Sequence, residues 1–383
     1  MNKPKIRFKG FEGEWKRQSL GDISASFSGG TPAVSVSDYY GGNIPFIRSG
    51  EIHENRTQLY ITQAGLNNSS AKIVEKGTIL YALYGATSGD VGFSKLRGAI
   101  NQAILAIEPT KKYIDRIFLV GFLQSYKHRI INELLQGGQG NLSGSLVKKI
   151  LLAFPSLPEQ RAIASYFTSL DAQIAASSSR LSSLKQIKAA SLLNMFPQKG
   201  ESVPRVRFKG FQGEWKEIKL GEIFSVEIGE FVIKTKQKNN APYPVYNGGV
   251  SNTGFYDCYN QEGPKIIVSA RGANAGYVNY CTTDFWAGNS CYSIGAKNND
   301  ELKFFFYFLK RFQEIYMKNQ YSASIPSISK QQILRTNLIY PSLPEQRAIA
   351  SYFTALDAQI TLHRERLEKL KQIKAACLEK MFA

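Results

Sequence analysis

The sequence predicts an α+β protein built twice, with two globular bodies each followed by a long helix, related by an internal pseudo-twofold repeat. Three observations carry this. Pro155 to Thr168 recurs letter for letter at Pro341 to Thr354. Arg7-Phe-Lys-Gly-Phe11 returns as Arg207 to Phe211, and Glu14-Trp-Lys16 as Glu214 to Lys216. The stretches between share only scattered letters, and the second is shorter: early matches lie 200 positions apart, late ones 186. Each half therefore has a near-constant start, a divergent body and a near-constant end. The expected segments are 1–154 (constant start and first body), 155–197 (helix), 198–340 (linker and second body) and 341–383 (helix).

The repeated ends read as helices. Pro158 and Pro344 suit a first helical turn, with Glu159 and Glu345 beside the N-terminal dipole. Apolar residues then follow 4-3 spacing: Ile163, Phe167, Leu170, Ile174, Leu181 and Leu184 in one copy, Ile349, Phe353, Leu356, Ile360, Leu367 and Leu370 in the other. That spacing is a coiled-coil seam. No Pro or Gly intervenes before Pro197, and about 36 helical residues span roughly 54 Å. One long amphipathic helix is not stable alone, so the two copies are expected to pair antiparallel within the chain; pairing between chains is the alternative. Ser177 and His363 fill the missing seam slot. They either meet as a polar layer that fixes register, or His363 faces solvent or a partner.

The bodies, about 14–154 and 214–340, hold short runs rich in β-branched and aromatic residues, such as Gly77 to Leu83, Lys265 to Ser269 and Cys291 to Ile294. Each has one late helical stretch, Arg116 to Leu135 and Glu301 to Met317. Both read as α+β domains.

Composition narrows the function. The chain has 383 residues and a formal net charge of +18, which favours an anionic partner, nucleic acid before an acidic membrane surface. A basic protein with no polyanion is the bland alternative. No run of 18 apolar residues is present, so no membrane span is expected. The first residues lack the apolar core of a signal peptide. Cys258, Cys281, Cys291 and Cys377 have no CxxC spacing, and His53, His128 and His363 are scattered, so free thiols in the cytoplasm and no zinc are expected. There is no Walker loop, HExxH, GxSxG or Asn/Asp-Pro-Pro-aromatic run. No catalytic, cofactor-binding or metal-binding residue is assigned.

Where the bodies still align, glycines are shared and the side chains between them are not. Tyr84-Gly-Ala-Thr-Ser-Gly89 corresponds to Arg271-Gly-Ala-Asn-Ala-Gly276, and Asn101-Gln102 to Asn289-Ser290. Leu142-Ser143 corresponds to Ile328-Ser329, preceded by Gln139-Gly-Asn141 in one copy and Ile325-Pro-Ser327 in the other. A fixed glycine frame with exchanged tips suits recognition. The expected base or phosphate readers in the first body are Thr31, Tyr39, Arg48, Tyr84, Thr87, Ser88, Asn101, Gln102, Gln139 and Asn141. In the second they are Lys234, Lys236, Tyr246, Asn247, Arg271, Asn274, Asn289 and Ser324. Arg suits a guanine edge, Asn and Gln an adenine edge, and Lys a phosphate. Each taken singly also fits a plain surface turn.

The duplicated Pro-Ser-Leu-Pro-Glu-Gln-Arg segments, the Gly-Gly-Thr-Pro…Ile-Pro-Phe run, the Tyr-Gly-Ala-Thr-Ser-Gly frame and Tyr246-Asn-Gly-Gly249 resemble specificity subunits of type I restriction–modification systems. The resemblance covers nearly the whole chain. It implies two target recognition domains, each reading one half of an asymmetric, split double-stranded DNA target. It implies an antiparallel coiled coil that holds the domains apart and docks two methyltransferase (modification) subunits, with restriction subunits joining in the full complex. S-adenosylmethionine, ATP and magnesium would belong to those partners; this subunit would be non-catalytic and would hold no cofactor. Rods of roughly 54 Å suit readers about one DNA turn apart, roughly 34–36 Å. The competing reading is a coiled-coil scaffold or adaptor without sequence-specific DNA binding.

Overall fold

The computed structural model describes residues 3–127, 129, 142–296, 301–318 and 326–382. Both repeated ends are helical, Leu157–Asn194 (the central helix) and Leu343–Met381 (the distal helix). The chain forms two compact units, Met1–Ser177 with Glu365–Ala383, and Ser178–Arg364. This division differs from the segments read in the sequence, which set each helix apart. Each helix is divided near its middle because its two halves bury their apolar faces in different units.

In the first unit, the start of the central helix runs antiparallel to the end of the distal helix. Lys374 pairs with Asp171, the Tyr166 hydroxyl meets Cys377 at 3.4 Å, and Phe167 stacks on Phe382. In the second unit the same contacts recur 186 positions on. Lys188 pairs with Asp357, the Ser191 hydroxyl meets that of Tyr352 at 2.9 Å, and Phe196 stacks on Phe353. Among the seam residues, Ile163, Phe167, Leu170, Leu181, Leu184, Ile349, Phe353, Leu356, Ile360 and Leu367 are buried. Ile174 and Leu370 are half-buried. Ser177 is buried, and the Nδ1 of His363 is buried without a hydrogen-bond partner among the described residues.

The first body has a four-stranded sheet in the order Ser24–Ser28, Ile104–Pro109, Ile79–Ala82, Val91–Phe93. The second body repeats it as Phe224–Ile228, Cys291–Ala296, Lys265–Ser269, Val278–Cys281. All neighbours in both are antiparallel. A second sheet follows in each body, centred on Tyr40–Ile47 in the first and Tyr243–Tyr246 in the second. The first copy of that sheet gains the strand Lys72–Val74, which with the short helix Gln63–Asn67 explains most of the extra length of the first body. The late helices form over Arg116–Ser125 and Leu302–Lys318. Residues 130–135 of the expected first one lie outside the described residues.

The constant starts clamp the constant helices. Strand Lys16–Ser19 pairs with Leu151–Phe154, and Lys216–Lys219 with Asn337–Tyr340, just before each long helix begins. Arg7 then grips Glu159 through two bonds of 2.7 Å and donates to the Gly13 and Glu12 carbonyls at 2.7 and 2.8 Å. Arg207 does the same to Glu345 at 2.7 Å, and to Gly213 and Gln212 at 2.7 and 3.0 Å. Both carboxylates are 2 % exposed. Beside each pair Phe8 meets Tyr166 edge-on, and Phe208 meets Tyr352 likewise. Trp15 packs on Phe118, and Trp215 on Phe304.

Removing the cation from either carboxylate leaves a buried charge unpaired. Arg7→Ala is expected to destabilise the protein by about 3–5 kcal/mol, and Arg207→Ala by a similar amount, measured by chemical denaturation. Losses below about 1 kcal/mol, the range of surface pairs, would show that the clamp does not hold the helix.

Candidate nucleic-acid interface

At one end of each four-stranded sheet, three loops are tied to one another by backbone hydrogen bonds. In the first unit, the Leu83 N–H donates to Ala103 (2.8 Å), Gly89 to Ala82 (2.9 Å), Ser88 to Gly85 (3.0 Å) and Leu142 to Leu83 (3.1 Å). In the second, Ala270 donates to Ser290 (2.8 Å), Gly276 to Ser269 (2.7 Å), Ala275 to Gly272 (2.9 Å) and Ile328 to Ala270 (2.9 Å). The frame is the same bond for bond. Its glycines explain why. Gly85 and Gly89 have φ of +80° and +81°, and Gly272 and Gly276 +83° and +87°, a region that side chains resist.

The second sheet supplies the next loop. The Asn101 N–H donates to Ile47 (3.3 Å) as that of Gly288 does to Tyr246 (2.7 Å), so Arg48 and Asn247 take equivalent places. The frame therefore presents Tyr84 where the other unit has Arg271, and Thr87 where it has Asn274. The turn that follows corrects the expected alignment of Asn101-Gln102 with Asn289-Ser290. Ile104 N–H closes on Asn101 (3.2 Å) and Cys291 N–H on Gly288 (3.0 Å), which equates Gln102 with Asn289 and Asn101 with Gly288. Matching Asn letters hid a shift of one residue that the strand register fixes.

Residues 12–186 and 212–372 match the family model described as type I restriction modification DNA specificity domain. The chain belongs to this family. It is similar to the type I restriction enzyme MjaIX specificity subunit of Methanocaldococcus jannaschii, 24% identical over 414 residues, covering 96% of this chain and 92% of that one. It is also similar to the putative specificity subunit S.MgeORF438P of Mycoplasma genitalium, 24% identical over 290 residues, covering 74% and 75%. The crystal structure of an S subunit from M. genitalium shares the fold, with TM-score 0.72, 21% identity, and coverage of 100% and 99%. A structure from work on complex assembly and conformational transition of the type I system aligns with TM-score 0.56 and 17% identity, covering 96% and 97%.

Within this specificity-domain frame the expected readers separate into groups. Arg271 and Gln102 are exposed, and Tyr84, Thr87, Asn274 and Asn289 are half-exposed at the loop tips. Thr31 is exposed and its hydroxyl donates to the Gln102 side chain. Lys234 and Lys236 are exposed on the turn Lys234–Lys236; the corresponding turn of the first unit carries Val34 and Val36, so the two units differ in charge there. Gln139, Asn141 and Ser324 lie outside the described residues.

Other expected readers are occupied within the protein. Ser88 is 8% exposed and its hydroxyl donates to the Leu83 carbonyl at 3.0 Å, so it shapes the loop instead of facing outward. Tyr246 is half-buried, its ring edge-on to Phe285 at 5.8 Å. Burial first, and the neighbouring Cys281, push its hydroxyl well above the usual tyrosine range, as for a core phenol. The side-chain Oδ1 of Asn101 accepts from the Ala103 N–H (3.2 Å), and that of Asn247 from the Ser290 N–H (3.2 Å). Among the described residues no hydrogen-bond partner is seen for the Asn247 amide NH₂. Tyr39, half-exposed, ends the turn Ser37–Tyr39 just before the strand Tyr40–Ile47, and its backbone carbonyl accepts from the Thr62 N–H (3.0 Å).

Arg48 is held by Glu51 at 3.0 and 3.2 Å and by Gln58 at 2.9 Å. Burial alone would raise the Glu51 carboxyl. Hydrogen bonds from the Arg48 side chain and the Gln58 and Arg48 amides, with the Arg48 charge, outweigh it and hold that carboxyl below the usual range. Arg48 is thus a pre-set cation rather than a free one.

Sequence reasoning missed the supports beneath the frame. Cys291 donates to the Tyr246 and Gly288 carbonyls at 3.1 and 3.2 Å, and burial pushes its thiol up to about 12. Lys310 reaches the Val278 carbonyl at 2.7 Å and lies 3.9 Å from the Tyr277 ring centre. Burial, with the charge of Lys188, pulls its ammonium down to about 8. In the first unit Gln124 contacts the Val91 carbonyl at 3.4 Å and Lys127 pairs with Asp90. A polar residue late in an apolar helix was the legible signal.

Ser88→Ala is expected to lose about 1 kcal/mol of stability while leaving the DNA motif methylated in cells unchanged. An altered motif would place Ser88 among the readers.

Proposed function

We propose that each unit reads one half of an asymmetric, bipartite double-stranded DNA target, and that the paired helices dock two copies of a methyltransferase subunit. The observation that carries this is a backbone frame repeated bond for bond under different tips: Tyr84 against Arg271, Thr87 against Asn274, Gln102 against Asn289. A constant frame delivers side chains to the same place on a groove, and changed side chains select different base edges. Near-identical helices offer near-identical surfaces, which suits two copies of one partner. The net charge of +18 supplies the attraction for phosphate. Lys234 and Lys236 contact phosphates beside the second half-site.

Catalysis resides in the partners in this reading. S-adenosylmethionine, ATP and magnesium bind there, and restriction subunits complete the nuclease. Among the described residues no group of three or more His, Cys, Asp or Glu is arranged for a metal ion. No helix among them is long and apolar enough to cross a membrane. The site of action in this reading is the cytoplasm, where the DNA is.

Replacing residues 14–154 with the first body of another family member is expected to change one half of the methylated motif and leave the other intact. A change in both halves, or in neither, contradicts the two-reader assignment.

A further inference from the structure

We propose that Phe231 is a specificity-determining residue of the second half-site, contacting the 5-methyl group of a thymine in the major groove. This rests on the DNA-reading function proposed above. Phe231 is 72% exposed, lining a pocket with Ile233, Tyr256 and Trp286. Leaving such a ring in water forgoes a favourable burial, so a partner surface that covers it gains that energy.

Its position follows from the repeat. The Gly30 N–H donates to Ile100 (3.3 Å) as that of Glu230 does to Ala287 (2.8 Å). Thr31 and Phe231 are therefore equivalent. A parallel bridge joins Glu230 to Gly288, so the next residues, Phe231 and Asn289, are neighbours, as Thr31 and Gln102 are in the first unit. The loop is fixed there. Gly229 N–H donates to Cys291 (3.2 Å), and a Cβ on Gly229 would lie 2.2 Å from the Ala287 carbonyl oxygen. Only a glycine lets the loop lie this close to the strand.

The surroundings select the ligand. Lys234 and Lys236 follow on the same loop, which suits phosphates flanking a groove. Asn274, Asn289 and Arg271 are the types that read polar major-groove edges. A phenyl ring in that row meets the apolar group the major groove offers, the thymine methyl. A ring on a loop held by two backbone bonds is better suited to touching a methyl than to entering between base pairs.

The test compares the intact methyltransferase complex carrying wild-type Phe231, Phe231→Ala, Phe231→Leu or Arg271→Ala. The methylated motif is mapped in cells, and binding is measured on oligonucleotides in which each second-half thymine is replaced by deoxyuridine. Wild type is expected to lose about fourfold in affinity at one thymine, the value of one buried methyl. Phe231→Ala should bind both oligonucleotides equally and accept other bases at that position, while Phe231→Leu keeps the preference. Equal thymine and deoxyuridine binding by wild type at every position, or an unchanged motif in Phe231→Ala, overturns the proposal. Should Arg271→Ala leave the second half of the motif unchanged as well, the reading of this frame as DNA-recognising fails with it.

Discussion

The bidentate ion pairs Arg7–Glu159 and Arg207–Glu345 are the constraint on which the rest depends. Each joins a constant start to the first turn of a constant helix, across a divergent body. Each carboxylate is buried in the first turn of a long helix, gripped by the guanidinium beside the positive end of the helix dipole. Removing one member strands the other, so neither copy can drift alone. The body between the clamps is free to change length, because both its ends are fixed. That freedom appears as the additional strand Lys72–Val74 in the first body.

The aromatic residues repeat this logic inside each unit. Phe382, at the end of the distal helix, packs on Phe118, Phe122 and Phe167 of the first unit. Phe196, at the end of the central helix, packs on Phe304, Phe308 and Phe353 of the second. A helix from one repeat thus closes the core of a body from the other. Rigidity at the core lets the loop frame present its tips in a set geometry, which recognition requires. Cys291, Lys310 and Gln124 extend that rigidity toward the frame by engaging backbone carbonyls, and Lys127 by pairing with the Asp90 carboxylate.

The helices and the repeat were legible because periodicity and identity are properties of the letters. The 4-3 spacing marks residues such as Phe353 and Ile163, which are buried. The glycine frame was legible too, since positive φ demands a residue type at a fixed spacing. The expected readers could not be sorted from the letters into outward-facing and inward-facing side chains. Nothing in the letters distinguishes Thr87, half-exposed at the tip, from Ser88, buried one residue later; the turn geometry decides. Tyr246 is an expected reader by its letter, and the edge of Phe285 packs against its ring. Arg48 reads as a free cation until Glu51, three residues on, folds back to hold it. The one-residue shift between Asn101 and Asn289 follows from strand register, which similarity of letters does not encode.

In the proposed function, equivalent positions on a shared frame carry the sequence preference of each unit. The most direct measurement is the methylated motif of a complex in which Arg271→Tyr, Asn274→Thr and Asn289→Gln are introduced together, giving the second frame the tips of the first. The second half-site is expected to shift toward the sequence of the first while the first is unchanged. A folded, methylation-competent variant whose second half-site stays as in wild type would contradict it.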